Sequence, residues 1–533
     1  FGSSSDKCAA HCGAVMVSSE LSTDAAVAGV KPNAEGYGCS ICGSAFASRN
    51  QLFGHLRDAH VGELSLNVEE PPSKRWLEQR QAAPDVHAKV LSAKKKDKGG
   101  RKDAGAAAPQ ELQIQTRPET YQAELEAKLK QADKLLQAAR DLQTEPWPQT
   151  EVFESPPEHF RMRVEFDIGW MSDSPDGPRE AQYVMHRGKD RVAVHDYPMA
   201  CSWISKVWMP KVLEAVRREE DLHAHLFQVN FHATLSGDGM VSLLYHAPFG
   251  RTERRQRMEK QAEERRGECE ERDDGRLSDK WAQAAQGLSE TLGGVSIVGR
   301  AKGRKRVIGR DWVNEKLQVP GVQNPILYRQ LEGCFAQPNG TVCQSMLAWA
   351  RAVASSREAD VGQADLCPRE DDMLELYCGN GNFCVALAPL FRRVLATELV
   401  KDLVDAARQN AADNGVSNIS FGRVSAEELS LALTGSRTYC RLQHLDLATF
   451  NLSTVLVDPP RAGLGPDVSA LLAGFERIIY ISCNPATLTE DLVVLCKTHR
   501  VCRVAAFDQF PYTAHLELGA FLERRPELGV SSA

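Results

Sequence analysis

The chain has 533 residues, of which 42% are apolar, with a formal net charge of −7 and 15 cysteines. That length suits about three domains of ~150 residues; no run of about 18 uncharged apolar residues offers a membrane span, and the negative charge excludes a uniformly basic nucleic-acid binder but not a local basic patch. Cysteines scattered through a long chain point to reduced thiols and an intracellular home, with cytoplasm, nucleus and organelle left open.

The chain opens on Phe1 instead of Met, so its natural start and any leader can lie upstream. Residues 1–35 are rich in Ser, Ala and Gly without an apolar period and are expected to be disordered. Within 36–62, Cys39, Cys42, His55 and His60 stand in C-x2-C-x12-H-x4-H spacing, with Phe46 and Leu52 at the two small-core positions. Two thiolates from a hairpin and two imidazoles from one helical face close a tetrahedral Zn2+ shell, so a small ββα zinc finger is expected. The helix positions that read bases in DNA-binding fingers would be Ser48, Gln51 and Gly54. Gly54 has no side chain, so a protein or RNA contact is as good a reading as sequence recognition. Residues 63–117, with PPSKR and the run KKKDKGGRK, read as a basic low-complexity linker.

PETYQAELEAKLKQADKLLQAARDL then predicts a helix opened by Pro118, with Leu125, Leu129, Leu135 and Leu136 near one face. RMRVEF, LFQVNF and MVSLLYH read as strands of an antiparallel sheet, placing an α+β domain over 118–330. A dense Arg/Glu mixture at about 250–285 reads as a solvated helical insertion. After it, Arg300, Lys302, Arg304, Lys305, Arg306 and Arg310 form the most concentrated basic segment of the folded part. That segment is either a phosphate grip or a solvated basic loop.

From 331 to 525, followed by a short tail at 526–533, apolar strands alternate with helices, the rhythm of a mostly parallel, doubly wound sheet whose ligands collect beyond the carboxyl ends of its strands. LELYCGNGNF carries Gly379 and Gly381 in the first turn, where glycine lets backbone approach a nucleotide-like ligand. Glu398 ends the second strand 21 residues after Tyr377, placed to accept from ribose hydroxyls or, alternatively, to start a helix. Asp458 ends the fourth strand in DPPRAGL, where Arg461 replaces the aromatic residue usual in exocyclic-amine methylases. Cys483 ends the fifth in ISCNP. Alone it reads as a core thiol, since free cysteine is among the most buried residue types. An antiparallel last strand, however, would bring His515 and Glu517 to the same edge.

LELYCGNGNF, VLATE, VDPPRAGL, YISCNPATL and DQFPYTAHLE resemble motifs of the bacterial-type tRNA (uracil-5-)-methyltransferase family, as do FAQPN, VGRAKGRKRV, LFQVNF, VSLLYH and RMRVEF upstream. The resemblance implies a Rossmann-like S-adenosylmethionine-dependent methyltransferase domain beside an α+β RNA-binding domain. It implies transfer of a methyl group from S-adenosyl-L-methionine to C5 of the T-loop uridine of tRNA, with Cys483 as nucleophile on C6 and Glu517 as proton acceptor. Cofactor contacts carried over are Gln337, Tyr377, Asn382, Glu398 and Asp458, joined by Gly379 of the glycine turn, although Gln337 taken without the resemblance also reads as a helix cap. Phe227 matches a position associated with the RNA face, although on a strand it also reads as ordinary core; Arg300, Lys302 and Arg304 are the RNA candidates of the basic segment. Asp167 stands where bacterial members often carry a basic residue. The alternatives are the same chemistry on ribosomal RNA, and a zinc-finger RNA-binding protein with a silent methyltransferase fold. Cys8, Cys12, Cys39 and Cys42 do not fit the iron–sulfur spacing common among ribosomal RNA relatives.

Overall fold

The computed structural model describes residues 116–172, 178–187, 190–246, 277–355 and 369–526, together with the backbone of 30–33, 36–39 and 45–46. Contacts divide the chain into two units, 1–108 and 109–533. In the first, β1 (Val30–Asn33), β2 (Gly36–Cys39) and β3 (Ala45–Phe46) form an antiparallel sheet, with Gly38 opposite Ala45. Cys39 thus ends one strand of a hairpin, while Cys42, His55, His60 and the linker through 115 lie outside the described residues.

The second unit is built on two large sheets. The first contains β5 (Arg163–Met171), β6 (Glu180–Arg187), β7 (Asp190–Ala193), β8 (Leu226–Ala233), β9 (Gly239–Tyr245), β10 (Ser296–Ala301) and β11 (Arg304–Ile308), in the order β11-β10-β9-β8-β5-β6-β7. All its pairs are antiparallel except β9 with β10, whose chain crosses over through a helix at Asp279–Thr291. Alternation puts Val164, Phe166 and Ile168 of β5 on a face buried with Tyr183, Val229 and Phe231, against the helix Met209–Arg218. Trp281 and Ala285 are also buried there, and the Trp281 Nε1 donates to Tyr245 Oη at 2.8 Å. The segment expected to be solvated as far as 285 therefore packs from Asp279 onward, because an aromatic face is available; residues 247–276 lie outside the described residues.

The second sheet runs β16 (Ile419–Gly422), β15 (Arg393–Thr397), β14 (Asp372–Leu376), β17 (Leu452–Val457), β18 (Arg477–Ser482), β20 (Glu517–Arg524), β19 (His499–Phe507) and β4 (Thr150–Phe153). The five strands from β16 to β18 are parallel, and β20 is inserted antiparallel, Ser482 facing Leu518. This is the doubly wound sheet the motif rhythm predicts. The chain from 121 to 153 differs from expectation, packing on this sheet and not on the first. Its helix α1 (Tyr121–Arg140) buries Leu125, Ala132, Leu136 and Ala139, while β4 extends the sheet beside β19. The four-residue strand TEVF is too short to announce its partner. A two-stranded hairpin, β12 (Trp312–Leu317) with β13 (Ile326–Leu331), links the two sheets in sequence. Among the described residues no helix is long and apolar enough to cross a membrane.

Close packing of the first sheet makes one substitution diagnostic. A Cβ on Gly239 would lie 2.0 Å from the Trp208 ring. Gly239→Ala is therefore expected to destabilise the unit by about 1–3 kcal/mol through overpacking, measured by denaturant unfolding; unchanged stability would contradict this packing.

Candidate active site

Five strand ends build the site. Beyond β14 the backbone turns through left-handed conformations at Tyr377 (φ 61°), Gly379 (φ 56°) and Gly381 (φ 86°) before the short helix Asn382–Leu387. Glycine avoids the strain a side chain meets there, but Tyr377 does not, which marks the turn as held by its surroundings. Glu398, just past β15, receives Leu399 N at 2.6 Å and Val400 N at 2.8 Å on one oxygen and Gly379 N at 3.3 Å on the other. It is thus both a helix-start carboxylate, as one sequence reading has it, and a brace for the glycine turn.

Gln337 is not the cap of the helix at Gly340–Ser355. That place belongs to Asn339, whose Oδ1 accepts from Val342 N at 3.2 Å. Gln337 Oε1 and Asn382 Nδ2 are buried without a hydrogen-bond partner, as is Glu517 Oε2. Buried polar atoms are normally paired, and Gln337 and Asn382 lack complements of the kind an amino-acid-bearing nucleoside such as S-adenosylmethionine would supply, so these two residues fit that group.

The reactive corner lies where β17, β18 and β20 meet. Asp458 follows β17, Cys483 follows β18, and Glu517 opens β20 with 5% of its surface exposed. One step beyond the Ser482–Leu518 pair, the antiparallel register sets Cys483 across from Glu517. Burial pushes the Asp458 carboxyl up to about 7. Burial, then the Asp458 charge, holds Glu517 well above the usual carboxylate range. The Cys483 thiol is raised by burial and by both carboxylates, while the Arg461 guanidinium opposes them.

One residue that the motifs did not single out, Asn484, holds this corner. Asn484 caps the helix Pro485–Leu495, its Oδ1 accepting from Ala486 N at 3.2 Å, and its Nδ2 donates to Arg461 O at 2.9 Å. It ties the Cys483 loop to the Asp458 loop. Asparagine before a proline at a helix start was the available signal.

The RNA-facing expectations fare differently. Phe227 is half-buried and stacks on His246, ring centroids 4.2 Å apart. Arg300 donates Nε to both Glu332 oxygens at 2.8 Å, Lys305 pairs with Asp311 at 2.8 Å, Arg306 with Asp279 at 2.8 Å, and Arg310 with Asp238 at 2.9 Å. Arg304 is also engaged, and Lys302 is exposed at the hairpin tip. The basic segment is therefore not a row of unpaired charges. Asp167 receives His186 Nε2 at 2.8 Å. Among the described residues no cluster of metal-ligating side chains occurs; the candidate zinc ligands other than the Cys39 backbone lie outside them.

The family described as tRNA (Uracil-5-)-methyltransferase matches residues 120–268 and 274–525. Two proteins named tRNA/tmRNA (uracil-C(5))-methyltransferase, from Ectopseudomonas mendocina and Pseudomonas aeruginosa, are each 43% identical over 411 residues, covering 76% of this chain and 98% of theirs. The crystal structure of Pyrococcus abyssi tRNA (uracil-54, C5)-methyltransferase with S-adenosyl-L-homocysteine shares the fold, with a TM-score of 0.50 at 19% identity, covering 75% of this chain and 83% of that one.

The buried Glu517 carboxyl gives a stability test. Below its ordinary pKa of about 4.3 both folded and unfolded chains hold the proton. Stability is then lost as pH rises towards the raised folded value, because only the unfolded chain releases the proton without penalty. Glu517→Gln is expected to melt a few degrees above wild type at about pH 8 and to match it near pH 4. Equal melting at the higher pH would contradict the burial.

Proposed function

Because the chain belongs to the tRNA (uracil-5-)-methyltransferase family and acts as an S-adenosylmethionine-dependent uracil-C5 methyltransferase on tRNA, we propose that its target is the T-loop uridine and that it works through a covalent Cys483 adduct. The observation that carries the mechanism is the juxtaposition of Cys483, Asp458 and Glu517 at one strand edge.

Uracil C5 is a weak carbon nucleophile. The Cys483 thiolate forms a bond to C6, and the C5=C6 electron pair moves on to O4 as an enolate, which makes C5 electron-rich. S-adenosylmethionine, when bound, supplies the methyl group that C5 takes. Glu517 then removes the C5 proton; its C–H electron pair re-forms the ring double bond as the C6–S bond breaks and returns the thiolate. Arg461, beside the sulfur, favours the thiolate against the two carboxylates that oppose it. Gln337, Tyr377, Asn382, Glu398 and Asp458, around the glycine turn, would hold the cofactor; the unpartnered atoms of Gln337 and Asn382 support this. The target base must leave its stack to reach the thiol, at a cost of about a few kcal/mol. Phe227, Arg300, Lys302 and Arg304 are proposed for the RNA side, with phosphate contacts exchanged against existing ion pairs. Cys39, Cys42, His55 and His60 are proposed to bind zinc, which the β2–β3 hairpin around the Cys39 position supports.

Purified protein is expected to methylate unmodified tRNA at the T-loop uridine, mapped by nuclease digestion and mass spectrometry, and Cys483→Ala to abolish turnover. Transcripts carrying 5-fluorouridine should form a covalent protein complex with wild type and none with Cys483→Ala, because the C5 fluorine cannot leave as a proton does. Methylation surviving in Cys483→Ala would rule out the adduct. Elemental analysis is expected to find about one zinc per chain, lost in Cys39→Ser/Cys42→Ser; equal zinc in both proteins would reject the finger.

A further inference from the structure

We propose that Lys128 is a positioning residue for Glu517, holding in place the loop that aims this carboxylate at the substrate; the inference rests on the role given to Glu517 above. Lys128 lies in the buried seam of α1, between Leu125 and Ala132, and is only 8% exposed. A lysine is almost never buried so deeply unless paired. Its ammonium has three donors, and three acceptors meet them: Asp508 Oδ1 at 2.5 Å, Phe510 O at 3.0 Å and His515 O at 3.3 Å.

All three acceptors belong to one loop. It leaves β19 after Phe507 and enters β20 at Glu517, and Phe507 and Glu517 face each other across its base. Lys128 therefore grips the loop at its first residue, at its third, and two residues before the proton acceptor. Tyr121, from the same helix, adds a ring contact with Tyr512 at the loop's centre, 6.1 Å between centroids. Tyr512 has φ 60°, an unfavourable conformation for a non-glycine residue, and donates its hydroxyl to Pro157 O at 2.8 Å.

Glu517 Oε2 has no hydrogen-bond partner, so its aim depends on where the backbone enters β20. Loops of this length are ordinarily mobile, and a misplacement of about 1 Å at a reacting group can cost about a hundredfold in rate. The helix that supplies Lys128 is itself fixed, since Ala132, Leu136 and Ala139 share a core with Leu488, Leu492 and Leu495 of the helix that follows Cys483. One rigid element thus ties the nucleophile's helix to the base's loop.

A purely structural lysine and a positioning lysine are separated by where the reaction stalls. Addition to C6 and methyl transfer precede proton removal, so an enzyme defective only in aiming Glu517 accumulates covalent protein–tRNA complex on ordinary uridine. Lys128→Met is expected to lower kcat about 10- to 100-fold with KM for tRNA little changed. It should build up a denaturation-resistant complex with unmodified tRNA and capture 5-fluorouridine tRNA at the wild-type rate. The double variant Lys128→Met/Asp508→Asn, which leaves no unpaired buried carboxylate, provides the same comparison if the single variant does not fold. Wild-type turnover, equal loss of turnover and 5-fluorouridine capture, or failure of both variants to fold would overturn the inference. Absence of methylation and capture in wild type would instead overturn the reading of the site.

Discussion

The insertion of one antiparallel strand into a parallel sheet is the constraint on which this site depends. Parallel strands joined by crossovers deliver all their carboxyl ends to one edge, and that edge receives the segments carrying Glu398, Asp458 and Cys483. A group from the amino end of a strand reaches it only if its strand runs the other way. β20 does so, and its register with β18 brings Glu517 opposite the thiol. A slip of one residue would turn Glu517 to the opposite face of the sheet. Register is secured by the burial of all six residues of β18 and the first six of β20.

The same geometry concentrates acid groups where water is scarce. Burial raises Asp458, Glu517 and Cys483 together, and each carboxylate raises the thiol further. Burial thus disfavours charge on both acids and on the thiol, and Arg461 opposes that tendency at the sulfur. Such a site conflicts with folding, since its buried polar atoms lack the partners that stability favours. In the proposed reaction a cationic sulfonium and a uracil ring would bring opposite charge and hydrogen-bond partners to this corner, which would relieve the conflict.

Much of this edge was legible in the sequence because strand ends are punctuated. The glycines after LELY, the DPP after VLV and the proline after ISCN each stop a strand and leave Tyr377, Asp458 or Cys483 at the boundary. The doubly wound sheet followed from apolar runs of five or six residues alternating with helices. Less visible were interactions between residues far apart in sequence. Lys128 resembles any lysine of an amphipathic helix until Asp508, 380 residues later, is placed beside it. β4 has no pattern that distinguishes one sheet from another, and the helix after the charged insertion reveals its packing only through Trp281. The pairing of the basic run at 300–310 was hidden for a related reason: its counter-charges lie outside it, among them Asp238, Asp279 and Glu332.

Those ion pairs give the basic residues a second task besides any contact with RNA. Glu332 accepts Arg300, Lys305 and the Ser242 hydroxyl, all from or near the first sheet. Two residues on, Cys334 O accepts Arg163, and Pro338 O accepts Met162 N at 2.7 Å. The segment between these anchors contains Gln337, whose side-chain oxygen is buried without a partner. The first sheet thus does more than sit beside the methyltransferase sheet, because it fixes the segment that carries Gln337, the residue proposed above for the cofactor. A phosphate taking Arg300 would have to displace Glu332, so RNA contact at this patch and the placement of Gln337 draw on the same guanidinium. Paired arginines of this kind gain less from a phosphate than unpaired ones, since each new contact replaces an existing one.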